Sequence, residues 1–331
     1  MTKKLATARA FMALIAGLAL LGTAAQAPAS AQDRYPSRPV KIVVPFGAGG
    51  VADITARHVA EKLGTVLNQR FVIENQPAAG GITAAKSVIA SEPDGYTTAL
   101  LSNGTAISVS LIKDIGFDPL KDFQPVSSLA YFDFVLFTNT ASPYKTLADV
   151  VAAGTTKPGG VNVGTVSVGS SQNLSAELLK ATARLNATIV PFRRTPDILV
   201  ALLRNDVDVM IDTYAAAKSA VDDKQVRAIA TSGTARSPLL PDVPTVRESG
   251  APAFEVTSWN GLFVPAKTPP AVVETLNKAL REVLGSEDIK KRFLDLGVEA
   301  RATSPDELSA RLKSDIEKWA AVIKSAKIEP Q

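Results

Sequence analysis

Two short segments rich in glycine and serine carry the groups that could bind an anion. In the first, Pro45 and Phe46 end a branched apolar run, and Gly47, Gly49 and Gly50 follow before a helical pattern begins. A glycine turn at a helix start leaves main-chain N–H groups unpaired beside the positive end of the helix dipole. The segment therefore predicts a carboxylate site, and the alternative is a tight turn that binds no ligand.

The second segment covers residues 169–173, Gly-Ser-Ser-Gln-Asn, at the start of another helical pattern. A serine N-cap leaves neighbouring N–H groups and hydroxyls free to donate to a carboxylate oxygen, although an ordinary capped helix has the same sequence pattern. Two such loops would together supply three or four charge-assisted hydrogen bonds. Each contributes about 1.5–3 kcal/mol before desolvation and ordering costs.

Four aspartates are candidate acceptors or metal ligands. Asp53 lies in the first helical turn after the glycines, where it can accept hydrogen bonds from unpaired N–H groups. Asp206, Asp208 and Asp212 alternate along one predicted strand, and Asp212 stands at its carboxyl end. This spacing offers too few well-placed oxygen ligands for a metal ion. We therefore predict no metal and expect Asp212 to be a single acid that lines a cleft.

Two adjacent arginines, Arg193 and Arg194, follow another predicted strand. A guanidinium group pairs with a carboxylate through two parallel hydrogen bonds, so either arginine is a candidate for the far end of a diacid. The alternative is two solvated loop charges.

An enzyme is the main rival hypothesis. Residues 47–52 also fit G-x-G-x-x-[GA], and Glu74 ends the next strand where a ribose-binding acid belongs, which suggests an exported dinucleotide-binding oxidoreductase. Two residues intervene between the strand and the first glycine, and exported proteins rarely meet free dinucleotide, so we predict no cofactor. A Ser–His hydrolase would need His58, the only histidine, and residues 165–169 miss the G-x-S-x-G pattern at their first position.

The elements that must position these groups alternate between strand and helix. The predicted strands are residues 40–44, 71–74, 96–101, 126–131, 134–138, 161–163, 187–190, 207–211, 228–231 and 256–264. The predicted helices are residues 51–63, 82–90, 146–153, 171–185, 270–284, 288–296 and 304–324. This rhythm predicts a mostly parallel sheet whose ligands bind outside the carboxyl ends of the strands. It indicates two α/β lobes, with a first crossing near Phe132 and Asp133.

The first 31 residues have the pattern of a secretory signal peptide. Lys3, Lys4 and Arg9 precede an apolar run that is too short to span a bilayer, and Ala29-Ser30-Ala31 fits a cleavage site. Removing this segment takes the formal net charge from +4 to +1, so the overall charge does not favour nucleic acid as a partner. The chain has no cysteine, which excludes disulfides and thiolate chemistry.

The chain resembles the periplasmic receptors of tripartite tricarboxylate transporters, the Bug family. The resemblance covers essentially the whole mature chain and rests on residues 38–46, 49–53, 73–75, 80–81, 92–96, 169–171, 174, 177–179, 240–245 and 258–262. It implies a periplasmic-binding-protein fold of the second type, with two α/β lobes, a hinge and an interlobe ligand cleft. We expect lobe 1 to comprise residues 32–132 and 257–331, and lobe 2 to comprise residues 133–256.

In this family a ligand carboxylate is held by loops that correspond to residues 46–52 and 168–172. The candidate ligand-binding residues are Phe46, Ala48, Gly49, Gly50, Val51, Ala52, Asp53, Ser102, Asn103, Thr105, Val168, Gly169, Ser170, Ser171, Gln172, Arg193 and Asp212. This chain has Phe192-Arg193-Arg194 where many relatives have Tyr-Lys-Gly, and Asp212-Thr213-Tyr214 is also atypical. These departures leave the identity of the organic acid open.

The resemblance further implies a non-enzymatic, periplasmic receptor that delivers a di- or tricarboxylate or an aromatic carboxylate to two integral membrane subunits. A ligand sensor that signals to a sensor kinase without transport is the alternative. We expect a monomer.

Overall fold

A computed structural model describes residues 35–77 and 81–330, so the predicted signal peptide lies outside the described residues. The elements below all belong to the compact unit Arg38–Gln331. The strands are β1 Val40–Val44, β2 Phe71–Asn75, β3 Thr97–Ser102, β4 Phe123–Asn139, β5 Val161–Val166, β6 Ala187–Phe192, β7 Val209–Thr213, β8 Val226–Thr231, β9 Thr257–Pro265 and β10 Glu299–Ala300. The helices are α1 Val51–Leu67, α2 Ile82–Ile89, α3 Asn103–Leu111, α4 Leu147–Thr156, α5 Ser171–Ala183, α6 Thr195–Leu203, α7 Tyr214–Asp222, α8 Pro270–Gly285, α9 Glu287–Leu294 and α10 Pro305–Ser325.

The strands form two half-sheets that share β4. In the first half-sheet, β1 pairs in parallel with β2 and β3, while β9 joins β3 to residues 123–133 of β4 and β10 pairs with the other edge of β4. In the second half-sheet, β7 and β8 flank residues 134–139 of β4, and β5 and β6 continue in parallel from β7. The α/β prediction is confirmed, but the sheet is mixed rather than mostly parallel, because every pairing of β4 and β9 is antiparallel. The carboxyl ends of β1, β3, β5 and β7 precede helix starts.

The prediction of two separate strands around Phe132 and Asp133 is wrong. β4 is one strand of 17 residues. Asp133 still pairs with Thr257 of β9, whereas Phe134 pairs with Thr213 of β7, so the partner strand changes between these two residues. The charged side chain does not interrupt the strand because Thr257 Oγ1 donates a hydrogen bond to Asp133 Oδ1 at 2.8 Å.

Three helices were not predicted from the sequence: α3, α6 and α7. Each begins within three residues of the end of a strand. Side chains cap only α3, because Arg194 before α6 and Thr213 before α7 make no side-chain cap hydrogen bond. The segment 102–105, which follows the predicted strand 96–101, is the N-terminal cap and first turn of α3. β5 also continues to Val166, three residues beyond its predicted end.

One apolar cluster crosses from the first half-sheet to the second. It contains Trp259 of β9 and Trp319 of α10, both fully buried, together with Leu174 and Leu179 of α5. A smaller cluster on the second half-sheet packs α6 and α7 against Val135 and Phe137. A capping box starts α10, because Ser304 Oγ accepts from the N–H of Glu307 and the Glu307 carboxylate accepts from the N–H of Ser304. Among the described helices, none has the length and apolar character that a membrane crossing requires.

Candidate functional site

The loop between β1 and α1 presents open main-chain donors. Gly49 has a φ of +87°, a left-handed conformation that favours glycine, and a Cβ added at Gly47 or Gly49 would meet no atom within 4 Å. The N–H groups of Gly47, Ala48, Gly50, Val51 and Ala52 donate to no other described residue. The loop therefore leaves several donors for a guest at the start of α1.

Asp53 organises this loop from within the first turn of α1. Its buried carboxylate accepts from the N–H of Gly49 at 2.9 Å, from Arg57 Nε at 3.0 Å and from Asn75 Nδ2 at 2.8 Å. Asn75 Nδ2 also lies 3.0 Å from the carbonyl oxygen of Phe46. Burial acts to raise the pKa of Asp53, but hydrogen bonds from Arg57, Gly49 and Asn75 outweigh it and lower the pKa to about 2. Asp53 is therefore a charged support for the loop, and the N–H of Gly49 is already engaged.

The loop before α5 has a similar organisation with fewer free donors. Gly169 N–H donates to Asn173 Oδ1, Ser170 N–H donates to the carbonyl of Ser167, and Ser170 Oγ accepts from Asn173 N–H. The main-chain N–H groups of Ser171 and Gln172 donate to no other described residue. These two groups are the donors that a carboxylate would meet at the start of α5.

The third group of candidate residues caps α3. Ser102 Oγ accepts from the N–H of Gly104, and Thr105 Oγ1 accepts from the N–H of Ser102, with both side chains buried. Asn103 is the polar link to the second half-sheet, because its Nδ2 donates to Ser171 Oγ at 3.2 Å. The structure thus engages the Ser102 and Thr105 oxygens in capping and places Asn103 against the α5 loop.

Asp212 lies at the carboxyl end of β7, next to the α5 loop. Its carboxylate accepts from Gln172 Nε2 at 3.1 Å, from Thr195 Oγ1 at 2.6 Å and from the N–H of Thr213 at 2.8 Å. Burial raises the pKa of Asp212, and these three hydrogen bonds oppose the rise. Asp208 instead pairs with Lys157 at 2.7 Å. No cluster of three or more potential metal ligands occurs among the described residues.

The two candidate arginines differ in their surroundings. Arg194 forms a bidentate pair with Asp197 of α6, with Nη2 and Nε at 2.9 and 3.2 Å from the two carboxylate oxygens. Arg193 is exposed and has no hydrogen bond or ion pair with another described residue. Arg193 is therefore the one with a guanidinium group available for a ligand.

The residues that suggested an enzyme have other partners. Glu74 accepts from Lys41 Nζ at 2.7 Å and from Gln76 Nε2 at 2.6 Å, so the acid that would bind a ribose is already paired. His58 Nδ1 lies 3.3 Å from Arg292 Nη1.

A separate cavity of about 650 Å³ lies beside the residues where β4 changes partners. Its walls include Tyr131, Asp133, Tyr214, Arg236 and Arg301, and none of the predicted ligand-binding residues lines it.

Comparison with protein families identifies the chain. The model of the tripartite tricarboxylate transporter family receptor matches residues 55–328, which include most of α1, the α5 loop and α10. The chain belongs to this family. The receptor is similar to protein BugT of Bordetella pertussis, with 31% identity over 326 residues that cover 98% of this chain and 97% of the relative.

Two solved structures extend the comparison. A protein from R. palustris solved with adipate is 31% identical, has a TM-score of 0.79, and the match covers 90% of this receptor and 100% of that chain. MatC from Rhodopseudomonas palustris with bound malate is 34% identical and has a TM-score of 0.74. The match covers 87% of this receptor and 100% of MatC. The fold is therefore that of a periplasmic binding protein, and the receptor is a solute-binding protein rather than an enzyme. The oxidoreductase alternative is wrong.

Sequence reasoning missed Arg57, Asn75 and Trp319. Arg57 is four residues after Asp53 on one helix face, so its pairing with Asp53 was detectable from the spacing. Asn75 ends β2 and reaches Asp53 only because β1 and β2 pair in parallel. Trp319 is 216 residues from its partner Asn103, and no local signal indicates that contact.

Proposed function

We propose that this receptor captures a dicarboxylate in a cleft between two lobes and delivers it to two integral membrane subunits. The observation that carries the proposal is the pair of loops with unpaired N–H donors, one at the start of α1 and one at the start of α5. No hydrogen bond joins residues 46–53 to the second half-sheet among the described residues, so a ligand would supply that connection.

The proposed lobes are residues 32–132 with 257–331 and residues 133–256. The change of partner strand between Asp133 and Phe134, and the start of β9 at Thr257, support these boundaries. A ligand that both loops contact would stabilise the closed arrangement relative to the open one. The membrane subunits could then distinguish the loaded receptor from the empty one.

Two features favour a dicarboxylate with an apolar body. Phe46 and Val168, one in each loop, are 39% and 46% exposed, although large apolar side chains are usually covered. The relatives solved with adipate and malate both hold dicarboxylates, and the carbon chain of adipate is unsubstituted. Phe46 and Val168 would cover the carbon chain, and main-chain donors would hold one carboxylate.

We place the receptor in the periplasm as a monomer, exported by the signal peptide at residues 1–31. A sensor kinase is the alternative partner if the receptor signals without transport.

A thermal-shift screen tests the ligand class. Straight-chain dicarboxylates of four to seven carbons should raise the melting temperature, because a ligand that binds only the folded state adds about 2.7 kcal/mol at a concentration of 100 Kd. We expect micromolar affinity, about −8 kcal/mol. The matching diamides are the controls, since they keep the length and remove the charge. A receptor that responds to the diamides as well as to the acids, or to no acid, would contradict the proposal.

The substitution Arg193→Gln should weaken dicarboxylate binding about tenfold, because it removes a charge-assisted bond to the second carboxylate. Arg194→Gln is the matched control, since its guanidinium group is already held by Asp197. Isothermal titration with a dicarboxylate and with the monocarboxylate of equal length measures both effects. Equal losses in the two variants, or an equal loss for the monocarboxylate, would show that Arg193 does not contact the second carboxylate.

A further inference from the structure

A chain of three buried or half-buried side chains connects helix α10 to the α5 loop. Trp319 of α10 is fully buried, and its Nε1 lies 2.6 Å from Asn103 Oδ1. Asn103 is 1% exposed, and its Nδ2 lies 3.2 Å from Ser171 Oγ. Ser171 is the first residue of α5 and a candidate ligand residue.

The chemistry of the groups determines the direction of these hydrogen bonds. An indole N–H can only donate, so the atom of Asn103 that faces Trp319 must be the amide oxygen. The amide NH₂ then faces Ser171 and can only donate, which makes Ser171 Oγ the acceptor. The hydroxyl hydrogen of Ser171 is therefore directed elsewhere, and no described residue accepts it.

We infer that Trp319 is a positioning residue for ligand binding, and that it acts through Asn103 to keep the Ser171 hydroxyl a donor toward a ligand carboxylate. The inference rests on the proposed carboxylate site, and it adds to that site a residue of α10, Trp319. Without the indole N–H, the amide of Asn103 can turn over. Its oxygen would then accept the Ser171 hydrogen, and the ligand would lose that donor.

The direction of the hydrogen bonds among Trp319, Asn103 and Ser171 also predicts the effect of a negative charge at position 103. In an Asn103→Asp variant, one carboxylate oxygen still accepts from Trp319, and the other now accepts the hydroxyl hydrogen of Ser171. The variant should bind a dicarboxylate at least tenfold more weakly at pH 8. Protonation of the new carboxyl group at low pH restores a donor toward Ser171, so its affinity should recover toward that of the unmodified receptor at pH 5.

Trp259 provides a matched control for Trp319. Its indole is also fully buried and also contacts α10, since its Nε1 donates to Asp315 Oδ2 at 2.6 Å. Trp319→Phe should raise the Kd of a dicarboxylate five- to tenfold, whereas Trp259→Phe should lower the melting temperature and leave the Kd within twofold. If both substitutions raised the Kd equally, Trp319 would contribute only to the stability of the fold and would not position Ser171.

A double-mutant cycle separates positioning from packing. Ser171→Ala should weaken binding about tenfold, and adding Trp319→Phe to it should change the Kd no further, because the hydroxyl that the indole controls is absent. Full additivity of the two losses would overturn the inference. Titration of the unmodified receptor is run alongside, so the absence of any carboxylate binding would be recognised as failure of the proposed function.

The hydrogen-bond directions can be tested without ligand. The receptor has two tryptophans, so Trp259→Phe assigns the two indole N–H signals in a ¹H–¹⁵N spectrum. Ser171→Ala should shift an Asn103 side-chain NH₂ signal, and Trp319→Phe should shift both of them. An Asn103 amide that does not respond to Ser171→Ala would refute the proposed orientation, whatever the receptor binds.

Discussion

Asp53→Asn should reduce dicarboxylate affinity at least a hundredfold and lower the free energy of unfolding at pH 7 by about 2 kcal/mol. The stability figure follows from the pKa of Asp53, which is about 2 in the folded protein against an ordinary value of 3.8 for aspartate, at about 1.4 kcal/mol per pKa unit. The affinity loss follows because Asp53 holds Gly49 N–H and, through Asn75, the carbonyl of Phe46. Without it, the free donors of the first loop would have to be ordered by the ligand itself.

The pH dependence of this effect has a definite sign. Because the folded-state pKa is lowered, the stabilisation is fully present above pH 4 and disappears as the pH falls through 2. Urea unfolding from pH 2 to 7 should therefore show the two proteins converging at the acid end.

Glu61→Gln is the control for Asp53→Asn. It removes the same charge from an exposed position on the same helix, and we expect neither stability nor affinity to change appreciably. If Asp53→Asn bound ligand as tightly as Glu61→Gln, the carboxylate would not support the binding loop.

Asp133→Asn should raise the free energy of unfolding by up to about 3 kcal/mol at pH 8. Burial raises the pKa of Asp133 to about 6 from the ordinary aspartate value of 3.8, a change that the Thr257 hydrogen bond opposes and that Glu255 and Glu299 increase. The folded protein therefore loses stability as the pH rises from about 4 through 6, since the buried side chain must ionise. The asparagine cannot ionise, and its carbonyl oxygen can still accept from Thr257.

The measurement is urea unfolding of both proteins at pH 4 and pH 8. The gain should be small at pH 4, where the carboxyl group is protonated in the folded protein, and full at pH 8. Asp242→Asn is the control, because that exposed side chain lies in the segment between β8 and β9. An equal gain for both variants, or a gain that does not depend on pH, would contradict the ionisation of Asp133 as the cause.

Asp133 also lies at the point where the chain crosses between the two half-sheets. The side chain lies where β4 changes partners, and a Cβ added at Gly233 would come within 2.1 Å of its carboxylate. Asp133 also lines part of the 650 Å³ cavity. Ligand titrations of Asp133→Asn at pH 8 would show whether the charge at this crossing also influences closure.

Local sequence determined the parts of the site that depend on neighbours in the chain. The branched residues of β1, the glycines after it and the first turn of α1 form one continuous segment, so strand, turn and helix could be predicted in order. The capping box at Ser304 and the serine cap of α5 follow for the same reason, because each cap bonds within three residues. Family motifs spread over the whole chain then identified the fold.

Only the tertiary structure decided which donors remain free. Sequence could not show that Gly49 N–H is taken by Asp53, that Arg194 is paired while Arg193 is not, or that one strand crosses between the half-sheets. It also could not connect Trp319 to Asn103 and Ser171. The physical reason is that a hydrogen-bonding group is satisfied by whichever partner folding brings within about 3 Å, and Trp319 and Asn103 are 216 residues apart in the sequence.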